Sequence, residues 1–519
     1  MGQGVGGACV MGTRCRAVFA GSALVWLSGC AVGPNYELPA LGIPKFFGTT
    51  TLTSAVAGPP TAADFVRWWQ NFRDRQLTAF VERAVASNPD IEIALTRVQE
   101  ARTQEVAVLG RMLPTVGGSA TVATGTGTDL TKGRAAQSIR AGDSTTGLKS
   151  ISRLAGFDAG WELDLFGKYQ RQLEAVHDDT EKQMELRNAA LITVIAEVAR
   201  TYLDIRGLQS RLEIARNDIA TAQKTVDLLV TRFDRGISNE LDLSLARRQL
   251  AVEQARLPDL TAQMSAAESR LAVLLGTYAA EIAPEVERAG KLPNLPQRLR
   301  AGVPVDLLRR RPDIRAAERD LAAATARIGA ATADLFPTVA VTAGFGTQAG
   351  THPRNAAAPI HGPIWSFGPG AYWPLLDFGR LDALVNIEEM RTHESLVKYK
   401  STIIAAVEEV DQANKQYQLD LARQKALGVA LDASHHAVDL AMERYDRGVT
   451  DFLNVLDAQR NDFVLEDQKA IADEVVVFRY VAFYKALGGG WELYDELPPI
   501  PEPQPAVIAT VRRVVNDWH

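Results

Sequence analysis

"NPDIEIALTRVQEARTQEVAVLGRMLPTV", residues 88–116, returns as "RPDIRAAERDLAAATARIGAATADLFPTV" at residues 311–339. Pro-Asp-Ile opens both stretches and Pro-Thr-Val closes both, 223 residues apart. Further along, "WELDLFGK" from Trp161 is matched by "WPLLDFGR" from Trp373, and "TRFDRGISNELDLSLARRQL" from Thr231 by "ERYDRGVTDFLNVLDAQR" from Glu443. These later pairs are 212 residues apart, so the first copy carries 11 extra residues between Pro114 and Phe166. Separate matches in one order make this a tandem duplication, and a duplication sets the fold before any single element is read.

Each copy gives a helix, two extended segments, then two long helices around a turn. Phe157, Ala159, Trp161, Leu163 and Leu165 share one face of an alternating run, and Val339, Val341, Ala343 and Phe345 share one face of another. Period-two alternation predicts strands, at about 115–126, 154–165, 338–348 and 364–375. Such strands suit a sheet with one face on lipid and one on water, or a soluble sheet with one buried face. Between Lys168 and Arg235 there is no proline and one glycine, Gly207; Arg380 to Arg447 holds only Gly428. Each of these 68-residue runs spans roughly 100 Å if helical. Leu212, Ala215, Ile219, Ala222, Val226, Leu229 and Phe233 step alternately by three and four, a heptad seam that predicts a coiled coil. Leu427, Leu431, Val438, Ala441 and Tyr445 repeat it more weakly.

The N-terminus carries Arg14 and Arg16 ahead of an apolar run, Ala17 to Ser28, which ends in Leu-Ser-Gly-Cys at Cys30. A basic segment before a short apolar one is the pattern of a secretory signal, and the run is too short to span a bilayer. The junction resembles a bacterial lipobox, which implies a diacylglycerol thioether and an acyl amide on Cys30. Ala31 in the following position resembles the outer-membrane sorting signal. Cleavage removes Cys9 and Cys15, leaving no internal disulfide, and takes the formal charge from −6 to −8. That charge carries no footprint for nucleic acid.

Four strands cannot close a barrel, and an open edge in lipid leaves N–H and C=O groups unsatisfied at several kcal/mol each. If the sheet lies in a membrane, several copies must pool their strands.

"VGPNYELP" after Cys30, "WWQNFRDRQLTAFVERAVASNPDI" from Trp68 and "VPVDLLRRRPDIRAAERDLAAATARIGAATADLFP" from Val303 resemble the TolC-type outer-membrane efflux channels. The likeness is to their lipoprotein, NodT-like branch, which serves resistance-nodulation-division pumps, and it covers nearly the whole mature chain. It implies an α+β membrane protein: a homotrimer with a 12-stranded β-barrel, four strands per chain, continued by a long α-helical coiled-coil tunnel in the periplasm. The expected partners are a periplasmic adaptor, an inner-membrane pump of that class and outer-membrane lipid. No cofactor is expected beyond the lipid on Cys30, and no metal.

The implied divisions are a signal peptide (1–29), an N-terminal equatorial segment (30–77), the first repeat (78–284), a linker (285–304), the second repeat (305–488) and a Pro-rich tail (489–519). Gly236 and Gly448 are implied at the periplasmic turns of the two hairpins. Arg444, Tyr445 and Asp457 match the constriction at the tunnel mouth, with Asp457 in an acidic ring that Arg444 and Tyr445 latch. Asn454 stands where some relatives carry a second aspartate, and Leu245 replaces Asp457 in the first copy.

No catalytic constellation is present. The adjacent His435 and His436 point apart on a helix, His352 and His361 fall in an expected loop, and the glycines from Gly488 lack a phosphate-cradle context. A type I secretion channel and a non-pore periplasmic coiled-coil adaptor are the alternative readings. The paired strands after each Pro-Thr-Val argue against the adaptor.

Overall fold

A computed structural model describes residues 31–40, 65–125, 150–287, 290, 292–293, 295, 310–352 and 355–494. Cys30, the signal segment and most of the tail lie outside the described residues. A short 3-10 turn at Trp68–Phe72 precedes α1 (Arg75–Ser87), α2 (Pro89–Arg111), β1 (Thr115–Gly125) and β2 (Ser150–Leu163). Then follow α3 (Lys168–Asp234), α4 (Glu240–Leu274) and α5 (Ala279–Val286). The second copy gives α6 (Pro312–Ala333), β3 (Thr338–His352), β4 (Asn355–Tyr372), α7 (Arg380–Asp446) and α8 (Phe452–Ala486).

The strands form one antiparallel sheet in the order β1-β2-β3-β4. Their limits differ from the alternation at the outer ends. β2 starts at Ser150 and β4 at Asn355, so the short Ser-Ile-Ser-Arg start of β2 and the Ala-rich start of β4 still pair once a neighbour holds them. His352 and His361 are therefore strand residues rather than loop residues. β2 stops at Leu163, and Leu165 lies in the turn beyond, its N–H reaching back to the Leu163 carbonyl at 2.9 Å. β4 ends at Tyr372.

The register aligns Phe157 with Phe345, Trp161 with Val341, and Phe345 with Trp365 across neighbouring strands. Directly opposed residues share a face, so Val116, Phe157, Phe345, Trp365 and Phe367 all project from one side. Each of those five side chains is at least 66% exposed. The opposite side carries Thr115, Gly117, Ser119, Asp158, Gly344 and Ser366. A bare aromatic sheet face backed by small polar residues has the polarity of a barrel wall, apolar outward and polar inward. Among the described residues no helix is long and apolar enough to cross a membrane.

Below the sheet the helices keep its order. α3 packs against α1, α2, α4, α6 and α8, whereas α7 packs mainly against α6 and α8. The duplication reappears as paired hydrogen bonds. Trp161 Nε1 donates to the Met112 carbonyl (2.9 Å) and Trp373 Nε1 to that of Leu335 (3.0 Å), fixing where each helix enters the sheet. Asn88 Nδ2 donates to the carbonyl of Leu274, the last residue of α4, at 2.8 Å. Its counterpart Arg311 donates to the carbonyl of Ala486, the last residue of α8, at 2.6 Å. The residue before each Pro-Asp-Ile thus satisfies an orphan carbonyl at the far end of its own repeat. Asn88 also caps α2 by accepting from the Asp90 and Ile91 N–H groups.

A girdle of aromatic rings surrounds the middle of α3 and the end of α8. Trp68 stacks on Tyr484 at 5.9 Å, Phe72 meets Tyr480 at 5.3 Å, and Tyr480 meets Tyr484 at 4.8 Å. Asp74 caps α1 through the Gln76 and Leu77 N–H groups while accepting the Tyr202 hydroxyl at 2.6 Å, pinning the N-terminal segment to α3.

Gly207, the one glycine within α3, marks a close approach: a Cβ there would lie 2.7 Å from the Glu474 side chain on α8. Burial holds the Glu474 carboxyl well above the usual carboxylate range, and a hydrogen bond with Asp204 adds to the shift. A raised pKa in the folded state means that the proton is bound more tightly there than in the unfolded chain. This stabilisation is complete below the unfolded value of about 4.3 and is lost as pH rises through the folded one. Melting temperatures in detergent should therefore fall between acidic and mildly alkaline pH, and Glu474→Gln should flatten that slope. An unchanged slope in the variant would remove Glu474 from the account.

Candidate functional site

The two hairpin turns are built alike. Gly236 sits at φ 70° and Gly448 at φ 67°, in the left-handed region that favours glycine. A Cβ on either would meet nothing within 4 Å, so conformation rather than space selects the residue. Gly236 N–H donates to the Phe233 carbonyl and Gly448 N–H to that of Tyr445, at 2.8 and 3.0 Å. Ile237 and Val449 likewise close on the Arg232 and Arg444 carbonyls, both at 2.9 Å.

A small core behind the turns ties the hairpins together: Val226 and Leu229 from α3, Leu243 and Ala246 from α4, and Phe452, Val455 and Leu456 from α8. Leu245 is half-buried against this core. Its counterpart Asp457 is exposed, with Asn461 Nδ2 donating to its Oδ2 at 3.2 Å. Asn454 is exposed and donates to Thr450 Oγ1 at 2.6 Å, and Arg444 is exposed as well. The two copies therefore differ in exposure as well as identity, the first turning Leu245 toward apolar neighbours and the second turning Asp457 toward solvent.

Tyr445 is not joined to Asp457 within the chain. Its ring packs against Phe452 at 5.6 Å, and the Arg232 guanidinium lies 4.6 Å from its centroid. Arg232 also pairs with Asp446 at 2.7 Å. Arg232 therefore latches the first hairpin tip to the second, a role that motif reading missed. The available signal was positional: Arg232 is the first-copy counterpart of Arg444. One arginine of the duplicated motif is spent inside the chain and the other faces out.

Higher on the hairpins the contacts become ionic. Arg256 on α4 reaches Glu253 (2.8 Å), Asp467 on α8 (3.2 Å) and Asp218 on α3 (3.6 Å), and Arg211 on α3 pairs with Asp467 at 2.9 Å. Burial, with Glu466 and Glu253 nearby, pushes the Asp218 carboxyl up. His435 on α7 lies 2.9 Å from Glu466 and 3.7 Å from Asp462, both on α8. The hydrogen bond to Glu466 raises the His435 pKa against the opposing effect of desolvation.

The profile of the family described as Outer membrane efflux protein matches residues 80–277 and 303–489, one segment per repeat. Nodulation protein T of Rhizobium leguminosarum bv. trifolii is 30% identical over 469 residues, covering 90% of this chain and 95% of its own. The pyoverdine export outer membrane protein OpmQ of Pseudomonas putida is 31% identical over 457 residues, covering 88% and 94%. The solved outer-membrane channel OprN superposes with a TM-score of 0.77 at 33% identity, over 89% of this chain and 100% of its own.

Removing the Arg232 latch should loosen the tips. Arg232→Ala deletes one partly exposed cation–π contact and one ion pair, together about 1–2 kcal/mol. Limited proteolysis should then cut faster near Gly236 and Gly448, with Arg232→Lys intermediate. Wild-type cleavage rates in Arg232→Ala would show that the tips are held by the apolar core alone.

Proposed function

The chain belongs to the outer membrane efflux protein family and is an outer-membrane channel protein; from that premise we propose that three copies form the exit duct of a tripartite efflux pump, conducting small molecules passively. The observation that carries this reading is a four-stranded sheet with a bare apolar face and two unpaired edges, β1 and β4. Three copies supply twelve strands, β4 of each pairing with β1 of the next. The outer side of α7 fits the same assembly. Met390, Ile404, Leu419 and Val429 project from it, each at least 65% exposed, and a neighbouring copy would cover them.

The remaining partners follow from the two ends of the molecule. Ile237 and Leu241 at one tip, and their counterparts Val449 and Leu453 at the other, are each at least 61% exposed. Such a repeated apolar pair suits docking of a periplasmic adaptor, which would connect the duct to an inner-membrane pump of the resistance-nodulation-division class. At the opposite end Arg171 binds the carbonyl of Val32 (3.2 Å) and the side chain of Asn35 (2.6 Å). A Cβ on Gly167, at the foot of β2, would lie 2.6 Å from Ala31 Cα. A lipid on the adjoining Cys30 would therefore start beside the base of the sheet, where the periplasmic leaflet would meet it.

Asp457 is proposed as the acidic ring at the closed tip, with Arg444 facing the neighbouring copy, Tyr445 held by Arg232, and Asn454 on the same exposed rim. Three carboxylates ~6 Å apart repel by about 3 kcal/mol per pair at an effective dielectric of 20, so cations or Arg444 must offset them. A trimer should dominate native mass spectra in detergent, and a stable monomer would overturn the assembly. In single-channel recordings Asp457→Ala should lose cation preference and block by multivalent cations from the tip side. Arg444→Ala should raise basal conductance. Selectivity unchanged in Asp457→Ala would place that residue off the pore axis.

A further inference from the structure

We propose that His435, Asp462 and Glu466 form a divalent transition-metal site that clasps α7 to α8. Nε2 of His435 lies 2.9 Å from Glu466 Oε1 and 3.7 Å from Asp462 Oδ2, and one ligand atom from each of the three lies within 4.8 Å of the other two. Ligand atoms around a tetrahedral Zn2+ stand about 3.3 Å apart, so small side-chain shifts close the set. Asp462 and Glu466 are four apart on α8 and so share one face, while His435 comes from the facing helix. One imidazole and two carboxylates leave a fourth position for water and neutralise a divalent charge. A nitrogen ligand selects Zn2+ over the oxygen-seeking Mg2+ and Ca2+.

A second observation points to a ligand. Asp462 is only 8% exposed, yet its Oδ1 has no hydrogen-bond partner. Behind it Asp218 on α3, 2% exposed, has its carboxyl against that of Glu466 and its Oδ2 turned to Arg256. A buried carboxylate oxygen without a donor, beside a histidine and a second carboxylate, is a place that favours a cation. Arg256, 3.6 Å from Asp218, offsets part of the charge from the far side. The half-exposed His435 gives an entry path.

The site belongs to one copy only. The counterparts of His435, Asp462 and Glu466 in the first hairpin are Gln223, Leu250 and Gln254, none of which could serve. His435 precedes Gly448 by 13 residues and Asp462 follows it by 14, so the clasp sits ~20 Å above the turn. A metal there stiffens the second hairpin alone, and it does so through residues separate from Asp457.

The test is Zn2+ titration calorimetry on the full-length protein in detergent, in an Asp457→Ala background so that the proposed Asp457 ring contributes nothing. The expected result is saturable binding of one Zn2+ per chain, weakened at least ~10-fold by His435→Gln and by Glu466→Gln. His436→Gln should bind as the parent does, which controls for folding and for a merely local histidine effect. Absence of saturable binding in the parent, equal affinity in His435→Gln, or equal loss in His436→Gln would overturn the site and leave His435 as a partner in an ion pair.

Discussion

An unpaired β-strand edge cannot remain in hydrocarbon, and the rest of this molecule is arranged around that constraint. Among the described residues β1 and β4 each present a row of N–H and C=O groups with no strand beside them. The sheet face that carries Phe157, Phe345, Trp365 and Phe367 is equally unsuited to water. Neither problem has a solution inside one chain, because four strands do not curl far enough to meet. Both are solved by copies placed side by side. The helices repeat the same logic below, where α7 runs along one lateral boundary with its outer apolar residues bare.

A long helix gives the assembly its reach, but length alone does not hold a hairpin shut. α3 is stabilised by lateral packing on five neighbours rather than by its own hydrogen bonds. The bonds that define each repeat lie at its ends, where Asn88 and Arg311 tie the start of a repeat to the final carbonyl of the same repeat. Both repeats are fixed to one N-terminal segment, the first through Tyr202 on Asp74 and the second through Tyr484 on Trp68 and Tyr480 on Phe72. The tips are held by a far smaller core, of seven buried residues.

Much of this was legible in the residues. The duplication, the helix lengths and the glycine turns follow from spacing, since periodicity of 3.5 or 2.0 is a direct record of burial. The heptad seam shows the limit of that record. Leu212, Ala215, Ala222, Val226 and Leu229 are buried, but Ile219 is only half-buried and Phe233 is 41% exposed. The first four residues of β2 and the outer half of β4 carried too little alternation to be read, because there the pairing is imposed by β1 and β3. Arg232 was invisible for another reason: its partners Tyr445 and Asp446 are more than two hundred residues away and meet it only when the hairpins stand side by side. The cluster at His435 was missed because adjacent histidines drew the comparison, whereas its carboxylate partners stand a helix away.

Duplication also leaves the two hairpins of one chain unlike at their tips. Two identical hairpins would give a tunnel of alternating but equivalent elements, with no reason for one set to move. Divergence broke that equivalence at the same few positions on both arms. In the first hairpin Arg232 and Leu245 turn inward, one onto Tyr445 and Asp446, the other onto the apolar tip core. In the second, Arg444 and Asp457 turn outward. In the first hairpin these two positions thus find partners inside the chain, although Ile237 and Leu241 stay bare at its tip. The second carries Arg444 and Asp457 exposed at its tip, within reach of anything that approaches it. Arg232, with the shared apolar core, is what joins the two arms at the tip.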